Sequence, residues 1–287
     1  MSEPRFGPAG LSDSYTVKKF DPQAIAAHTA ARGLTAFEYQ CGRGVRLAAD
    51  KADALGKAFA EQGILPSVHA PYYISMSSLE EDKRLHSIEY LLQSCALVKQ
   101  LGGKRVIFHA GSCGKQSREA ALEKALDTME RAVKACDEAG FGDCVLCPET
   151  MGKINQLGDL EEVLALSVVT HGLLPCVDFG HLYARSLGAL EGQEATARML
   201  DRMAEVLGEE KARCFHSHFS MIEFTPKGGE ARHLTFDQTD FGPDYRPLCR
   251  ELARRRWSPT IICESAGTQD VDALTMKEEY LTQLTQL

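Results

Sequence analysis

The sequence predicts a single (β/α)₈ barrel occupying residues 1–287. The length of 287 residues suits one such barrel, a fold that runs to roughly 250 residues. Short apolar runs alternate with helical stretches from one end to the other, with no linker, low-complexity tract or break in composition. Most of these runs are near-continuous, the pattern of parallel strands covered on both faces.

The strands are expected at Arg5–Ala9, Ala36–Tyr39, Ser67–Ala70, Arg105–His109, Cys144–Glu149, Pro175–Phe179, Cys214–Phe219 and Thr260–Glu264. Between them, Asp21–Arg32 opens with Asp-Pro, a cap followed by proline at the first helical position. Asp50–Gln62 fills the next slot. Leu79–Leu101 carries Leu85, Ile88, Leu92, Cys95 and Leu101 at helical spacing and stops at Gly102-Gly103. Ser117–Ala139 is rich in Ala, Glu and Lys and ends at Gly140; Asp159–Thr170, Gly192–Leu207, Pro247–Arg256 and Val271–Leu287 complete the set. The longest irregular piece is Ser220–Pro243, and in this fold long loops after strands line the functional face.

With 32 Lys and Arg against 40 Asp and Glu, the formal charge is −8, which excludes a general nucleic-acid coat but not a local basic rim around bound metal. No run approaches the ~20 apolar residues of a membrane span. MSEPRFGPAG at the start lacks an apolar run preceded by positive charge, and the ten cysteines are irregularly spaced; together these predict free thiols and a cytoplasmic location. Cys144 and Cys147 lie on one strand with their thiols on opposite faces, so they read as packing rather than as a paired site. A monomer is expected.

Six of the nine histidines fall at or just after strand ends: His69, His109, His181, His216, His218 and His233. His28, His86 and His171 fall in or beside helices and read as surface residues. Carboxylates share the strand ends: Glu149 in LCPET, Asp178 in CVDFGH and Glu264 in IICES. A carboxylate closing a strongly apolar strand points into the barrel mouth, where an unpaired charge is costly and a metal ion removes the cost. Mixed imidazole and carboxylate donors suit zinc, manganese or iron, and there are more of them than the about four that one ion needs. Two or three ions are expected, and paired ions suit phosphoryl displacement.

Seven segments in order, SVHAPYYISMSS, VIFHAGS, CPETMGKINQLG, VDFGH, HSHFS, RHLTF and ICESAG, resemble the endonuclease IV family of xylose isomerase-like barrels. The resemblance runs from the third strand to the last. It implies that His69, His109 and Glu149 hold one ion, that Glu149, Asp178, the histidine of the seventh strand and Glu264 hold a second, and that His181 and His233 contribute to a third. It implies two or three zinc ions, with manganese as the alternative. The activity it implies is cleavage of damaged double-stranded DNA 5′ to an abasic site, with a metal-bound hydroxide attacking phosphorus in line. Glu149 is then the catalytic residue, bridging ions and positioning the nucleophile. Tyr72 and Tyr73 match the position of residues that insert into the opened duplex, where an aromatic wedge replaces lost stacking.

The chain departs from the family in two places. The aspartate expected two residues before the last histidine is Ala231, with Glu230 and Glu223 as nearby substitutes. The seventh strand carries two histidines; spacing favours His218 as the ligand and leaves His216 to compensate for the missing aspartate or to touch substrate. Arg43, Arg46, Lys115, Arg118, Lys153, Arg185, Lys227 and Arg232 fall in or near loops that follow strands and could contact phosphates, Arg43 being the one assigned to substrate binding. The competing reading is a sugar isomerase or epimerase of the same superfamily, which needs one ion held by Glu149, Asp178, His218 and Glu264, with the glutamates moving protons beside a carbonyl. A non-catalytic binding module is disfavoured, because buried ionisable clusters cost stability with no structural return.

Overall fold

The computed structural model describes residues 3–287. Eight parallel strands form the barrel in two arcs. One runs β2 (Ala36–Gln40), β3 (Leu65–His69), β4 (Arg105–Phe108), β5 (Val145–Pro148); the other runs β1 (Arg5–Pro8), β10 (Thr260–Cys263), β7 (His216–Phe219), β6 (Cys176–Asp178). Single bridges close the two seams, Ala9 with Glu38 and Glu149 with Cys176. At the first seam Gly7 is required by contact: a Cβ there would meet the carbonyl oxygen of Ala36 at 1.9 Å.

The outer ring contains α1 (Pro22–Ala31), α2 (Ala49–Glu61), α3 (Glu81–Gln100), α4 (Arg118–Glu138), α5 (Leu160–Val168), α7 (Gly192–Leu207), α9 (Arg246–Arg255) and α10 (Gln269–Thr285). Side-chain caps start several of them where expected. Asp21 accepts from the Ala24 backbone N–H at 3.1 Å, and Ser117 accepts from that of Ala120 at 3.2 Å. Asp159 and Glu162 form a reciprocal capping box. The main apolar layers lie between strands and helices, one under α1 to α4 and one under α7, α9 and α10. Inside the barrel, apolar packing is confined to small groups such as Ile107, Cys147 and Cys176, which leaves the upper interior to polar side chains.

Three features differ from the expectation. The span Ser220–Pro243 is not irregular throughout: β8 (Met221–Thr225) and β9 (Gly229–Leu234) pair as an antiparallel hairpin over the mouth. Their charged residues concealed them, because a hairpin exposed on one side needs no continuous apolar run. Two short helices, α6 (Phe179–Arg185) and α8 (Glu209–Ala212), also form. Finally, His28 is no free surface residue; its Nε2 lies 3.0 Å from the buried Asp270 carboxylate.

Candidate metal centre at the barrel mouth

Glu149 follows β5 and is buried at the centre of the mouth. Its Oε2 lies 3.1 Å from His69 Nε2, at the end of β3, and 3.3 Å from His109 Nε2, just past β4. Its Oε1 lies 3.1 Å from His218 Nδ1 on β7 and 3.2 Å from His181 Nδ1 on α6. Four imidazoles therefore converge on one carboxylate. The strand register brings a second set together: Asp178 pairs with His218 across β6 and β7, and Glu264 Oε2 reaches to 3.5 Å of His218 Nδ1.

Donor atoms gather within 4.8 Å of one another in three groups at the mouth: His69, His109 and Glu149; Glu149, Asp178, His218 and Glu264; and His181, Glu230 and His233. Asp178 shows how local structure aims a donor. It caps α6, its Oδ1 accepting from the His181 backbone N–H at 2.7 Å, while Oδ2 is buried and makes no hydrogen bond. That oxygen lies 3.4 Å from His181 Nδ1 and gathers with donor atoms of Glu149, His218 and Glu264, a mixed carboxylate and imidazole set that fits a divalent metal ion.

Most of the rings are held through one nitrogen. His69 Nδ1 is 2.8 Å from the Ala70 carbonyl, and His181 Nδ1 is 2.8 Å from the Thr150 carbonyl. His233 Nδ1 meets Ser220 Oγ at 2.8 Å. An Nδ1–H donated to a carbonyl leaves Nε2 as the lone-pair nitrogen, the arrangement that metal-binding histidines use.

Packing charge away from water sets the protonation states. Burial alone would raise the Glu149 carboxyl, but His218 and His109 outweigh it and hold it well below the usual carboxylate range. Asp178 is pushed up, first by burial and then by Glu149 and Glu264. Burial would lower His69; its hydrogen bond to Glu149 and the surrounding carboxylates raise it to about 8 instead. His181 and His218 are raised well above the ordinary range against the same burial, His181 chiefly by Asp178 and His218 by Cys176 first and then by Glu264 and Glu38.

The third group explains Ala231. The pairing of β8 with β9 shifts register between Glu223 and Phe224: Glu223 faces Arg232, and Phe224 faces Glu230, so Ala231 is the extra residue of a bulge. Residues three apart on a regular strand point to opposite faces. The bulge cancels that, turning Glu230 to the side of His233 and placing its Oε2 3.5 Å from His181 Nε2. Gly152 makes the room, since a Cβ there would lie 2.6 Å from Glu230 Cβ and 3.1 Å from His181 Cδ2. Glu223 is excluded from the group by its 2.6 Å pair with Arg232.

His216 corrects a sequence expectation. It is fully buried on β7, away from His181 and His233; its Nε2 is 3.0 Å from Glu38 Oε2. It neither replaces the missing aspartate nor reaches the cavity where substrate would sit. Its donor atoms gather with those of His218 and the buried Cys176 thiol, beneath the mouth. Burial lowers it to about 4, so the ring is neutral near pH 7. Glu38 itself was missed by sequence reasoning; its signal was a lone carboxylate in the apolar strand AFEYQ.

The mouth encloses a cavity of about 300 Å³ lined by His69, His109, His181, Glu230, His233 and Glu264, with Tyr72 and Lys153 at its rim. Tyr72 and Tyr73 are both more than half exposed, and Tyr73 packs near Tyr90 at 5.9 Å between ring centres. Arg43 is exposed. Arg118 and Arg185 are not free to meet a ligand as expected. Arg185 donates to the carbonyls of Met151, Lys153 and Gln156, and Arg118 to those of Ile154 and Gln156, so both brace the loop after β5.

A parallel eight-stranded barrel with carboxylates and imidazoles closing successive strands defines a metal-type enzyme mouth on a TIM barrel. The family described as xylose isomerase-like TIM barrel matches residues 26–283, and the chain belongs to it. The uncharacterized protein MJ0133 of Methanocaldococcus jannaschii is 34% identical over 244 residues, 85% of this chain and 86% of that protein. A probable endonuclease 4 of Malacoplasma penetrans is 33% identical over 98 residues, 33% of this chain and 32% of its own length. Among solved structures, a D-tagatose 3-epimerase-like protein superposes with a TM-score of 0.70 at 17% identity, covering 98% of both chains. Endonuclease IV from Thermus thermophilus does so with a TM-score of 0.68 at 21% identity, covering 99% of this chain and 100% of that one. At these identities the structural likeness shows the shared fold. No helix among the described residues is long and apolar enough to cross a membrane.

Proposed function

We propose that this chain is a metal-dependent phosphodiesterase of the endonuclease IV type, acting on DNA 5′ to abasic sites in DNA repair. The supporting observation is the convergence of three donor groups around Glu149, because His69, His109 and His233 have no ligand role in a single-ion isomerase. Zinc, or manganese, bound there would supply Lewis-acid stabilisation of phosphate oxygens and lower the pKa of a water. His69, His109 and Glu149 hold the first position, Glu149, Asp178, His218 and Glu264 the second, and His181, Glu230 and His233 the third. Glu149, ionised and central, orients the attacking water. Lys153 at the rim offsets phosphate charge, with exposed Arg43 beyond it. A cavity of about 300 Å³ admits a sugar-phosphate group, and Tyr72 offers a ring face at its edge. The chain is read as one domain, a monomer, in a reducing cytoplasm that keeps its cysteines free.

The second reading, a single-ion sugar epimerase, is favoured by one feature: Glu149 and Glu264 flank His218 and Asp178 in a compact quartet. Elemental analysis of purified protein, paired with an assay on a duplex carrying one abasic site and on a ketohexose, separates the two. Two or three equivalents of metal with incision 5′ to the lesion support the phosphodiesterase. One equivalent, with isomerised sugar and intact DNA, overturns it in favour of the epimerase.

A further inference from the structure

Glu38 is a fully buried carboxylate inside the barrel, and none of the three mouth groups includes it. Ser67 Oγ donates to Oε2 at 2.9 Å and His216 Nε2 lies 3.0 Å from the same oxygen, while Gln40 Nε2 donates to Oε1 at 3.1 Å. The remaining side of Oε1 faces His218 Nε2 at 2.9 Å, off the line of a good hydrogen bond. Three neighbours thus fix the carboxylate, and its free direction points at one ring.

That ring is oriented differently from three others at the mouth. His69, His181 and His233 are each tied through Nδ1. His218 instead turns Nδ1 toward Glu149 and Glu264, at 3.1 and 3.5 Å, and Nε2 toward Glu38. Among the described residues, no carbonyl or hydroxyl holds its Nε2. A neutral imidazole carries one proton, so Nδ1 is a lone-pair donor to the quartet only while something keeps that proton on Nε2.

We propose that Glu38 is a positioning residue: it holds the Nε2–H form of His218 and so presents Nδ1 to the ion of the Glu149, Asp178, His218 and Glu264 group, with His216 and Ser67 as its tethers. The inference rests on the metal-binding reading of that quartet. It separates the two histidines of β7 by role, His218 as donor to the ion and His216 as the anchor of the carboxylate behind it. Partners of this kind typically govern metal affinity by about 10–100-fold.

The test uses full-length protein loaded with zinc. Glu38→Gln keeps the shape and the Ser67 contact but removes the charge. We expect about 10–100-fold weaker zinc binding at the quartet by chelator competition, with the other two groups unchanged. Imidazole nitrogen spectra should show His218 as Nε2–H with Nδ1 ligated in the parent, and a loss of that form in the variant; a merely structural role would lower Tm without moving the ring. Should Glu38→Gln fail to fold, Ser67→Ala removes one tether and should weaken the same position several-fold. Unchanged affinity and an unchanged His218 tautomer in the folded variant overturn the proposal alone. A parent protein that binds no zinc overturns it together with the functional reading.

Discussion

The barrel mouth and the shell between α3 and α4 both gather residue types that bind metals elsewhere, but only the mouth brings three donors together, and the two are built in opposite ways. In the shell, Cys95 Sγ lies 3.9 Å from Cys136 Sγ, and Cys144 stands beside them. All three are packed in the apolar layer, and the contacts with Cys136 and Cys144, together with burial, push the Cys95 thiol far up. A thiol kept protonated is a small hydrophobe. At the mouth, Glu149 is held ionised inside protein, rings are turned by carbonyls and a hydroxyl, and Asp178 Oδ2 is buried with no hydrogen bond among the described residues. Proximity of donors is common to both regions. What distinguishes the mouth is that its charges are in deficit and its rings are pre-aimed.

The sharpest break of this comparison is Glu149→Gln. It should reduce abasic-site incision by more than about 10³-fold while the circular dichroism spectrum stays that of the folded barrel. An unchanged rate would remove Glu149 from the chemistry. Next in size, Glu230→Ala should lose one equivalent of metal by elemental analysis, because it removes a donor of the third position. Ala231→Asp added to that variant should restore little, because the bulge turns residue 231 away from His233; full recovery of metal would show the strand to be regular instead.

A smaller effect is expected from pH in chelator-treated protein. The folded state raises His69 to about 8 from an ordinary 6.5, so the proton it holds stabilises fully below pH 6.5. That contribution, about 2 kcal/mol, disappears as the pH climbs through about 8. Tm should therefore fall across pH 6.5 to 8, while zinc affinity tightens over the same span because the ion displaces that proton. A flat Tm would disconnect His69 from Glu149. Smallest, Cys136→Ala in the thiol shell should lower stability by about 1 kcal/mol through lost packing and leave incision untouched. A change in metal content there would break the contrast between the two regions.

Much of this was legible in the sequence for a physical reason. Parallel strands covered on both faces read as apolar runs, and polar residues at their ends stand out; His69, Glu149, Asp178 and Glu264 are visible that way. Cys144 and Cys147 do face different packing layers, as the alternation of a strand requires. Glu38 was hidden because one carboxylate mid-strand reads as a solvated side chain until its partners on β3 and β7 are known. Arg118 and Arg185 looked like phosphate contacts because sequence shows their charge but not the carbonyls that absorb it. β8, MIEFT, runs on from the apolar end of β7 without a turn signal and β9, GEARHL, is mostly polar, so the hairpin does not announce itself, and no pattern of residue types marks its bulge.

That bulge has a consequence for how kinship is judged. Matched position by position against the endonuclease IV pattern that the sequence resembles, Ala231 falls where an aspartate is expected, and the third group reads as lost. Glu230 stands one place back, and the extra residue of the bulge turns it toward His181 and His233. What a donor group needs is a direction in space rather than a numbered place, and a chain with this offset keeps together side chains that its sequence alone would set apart.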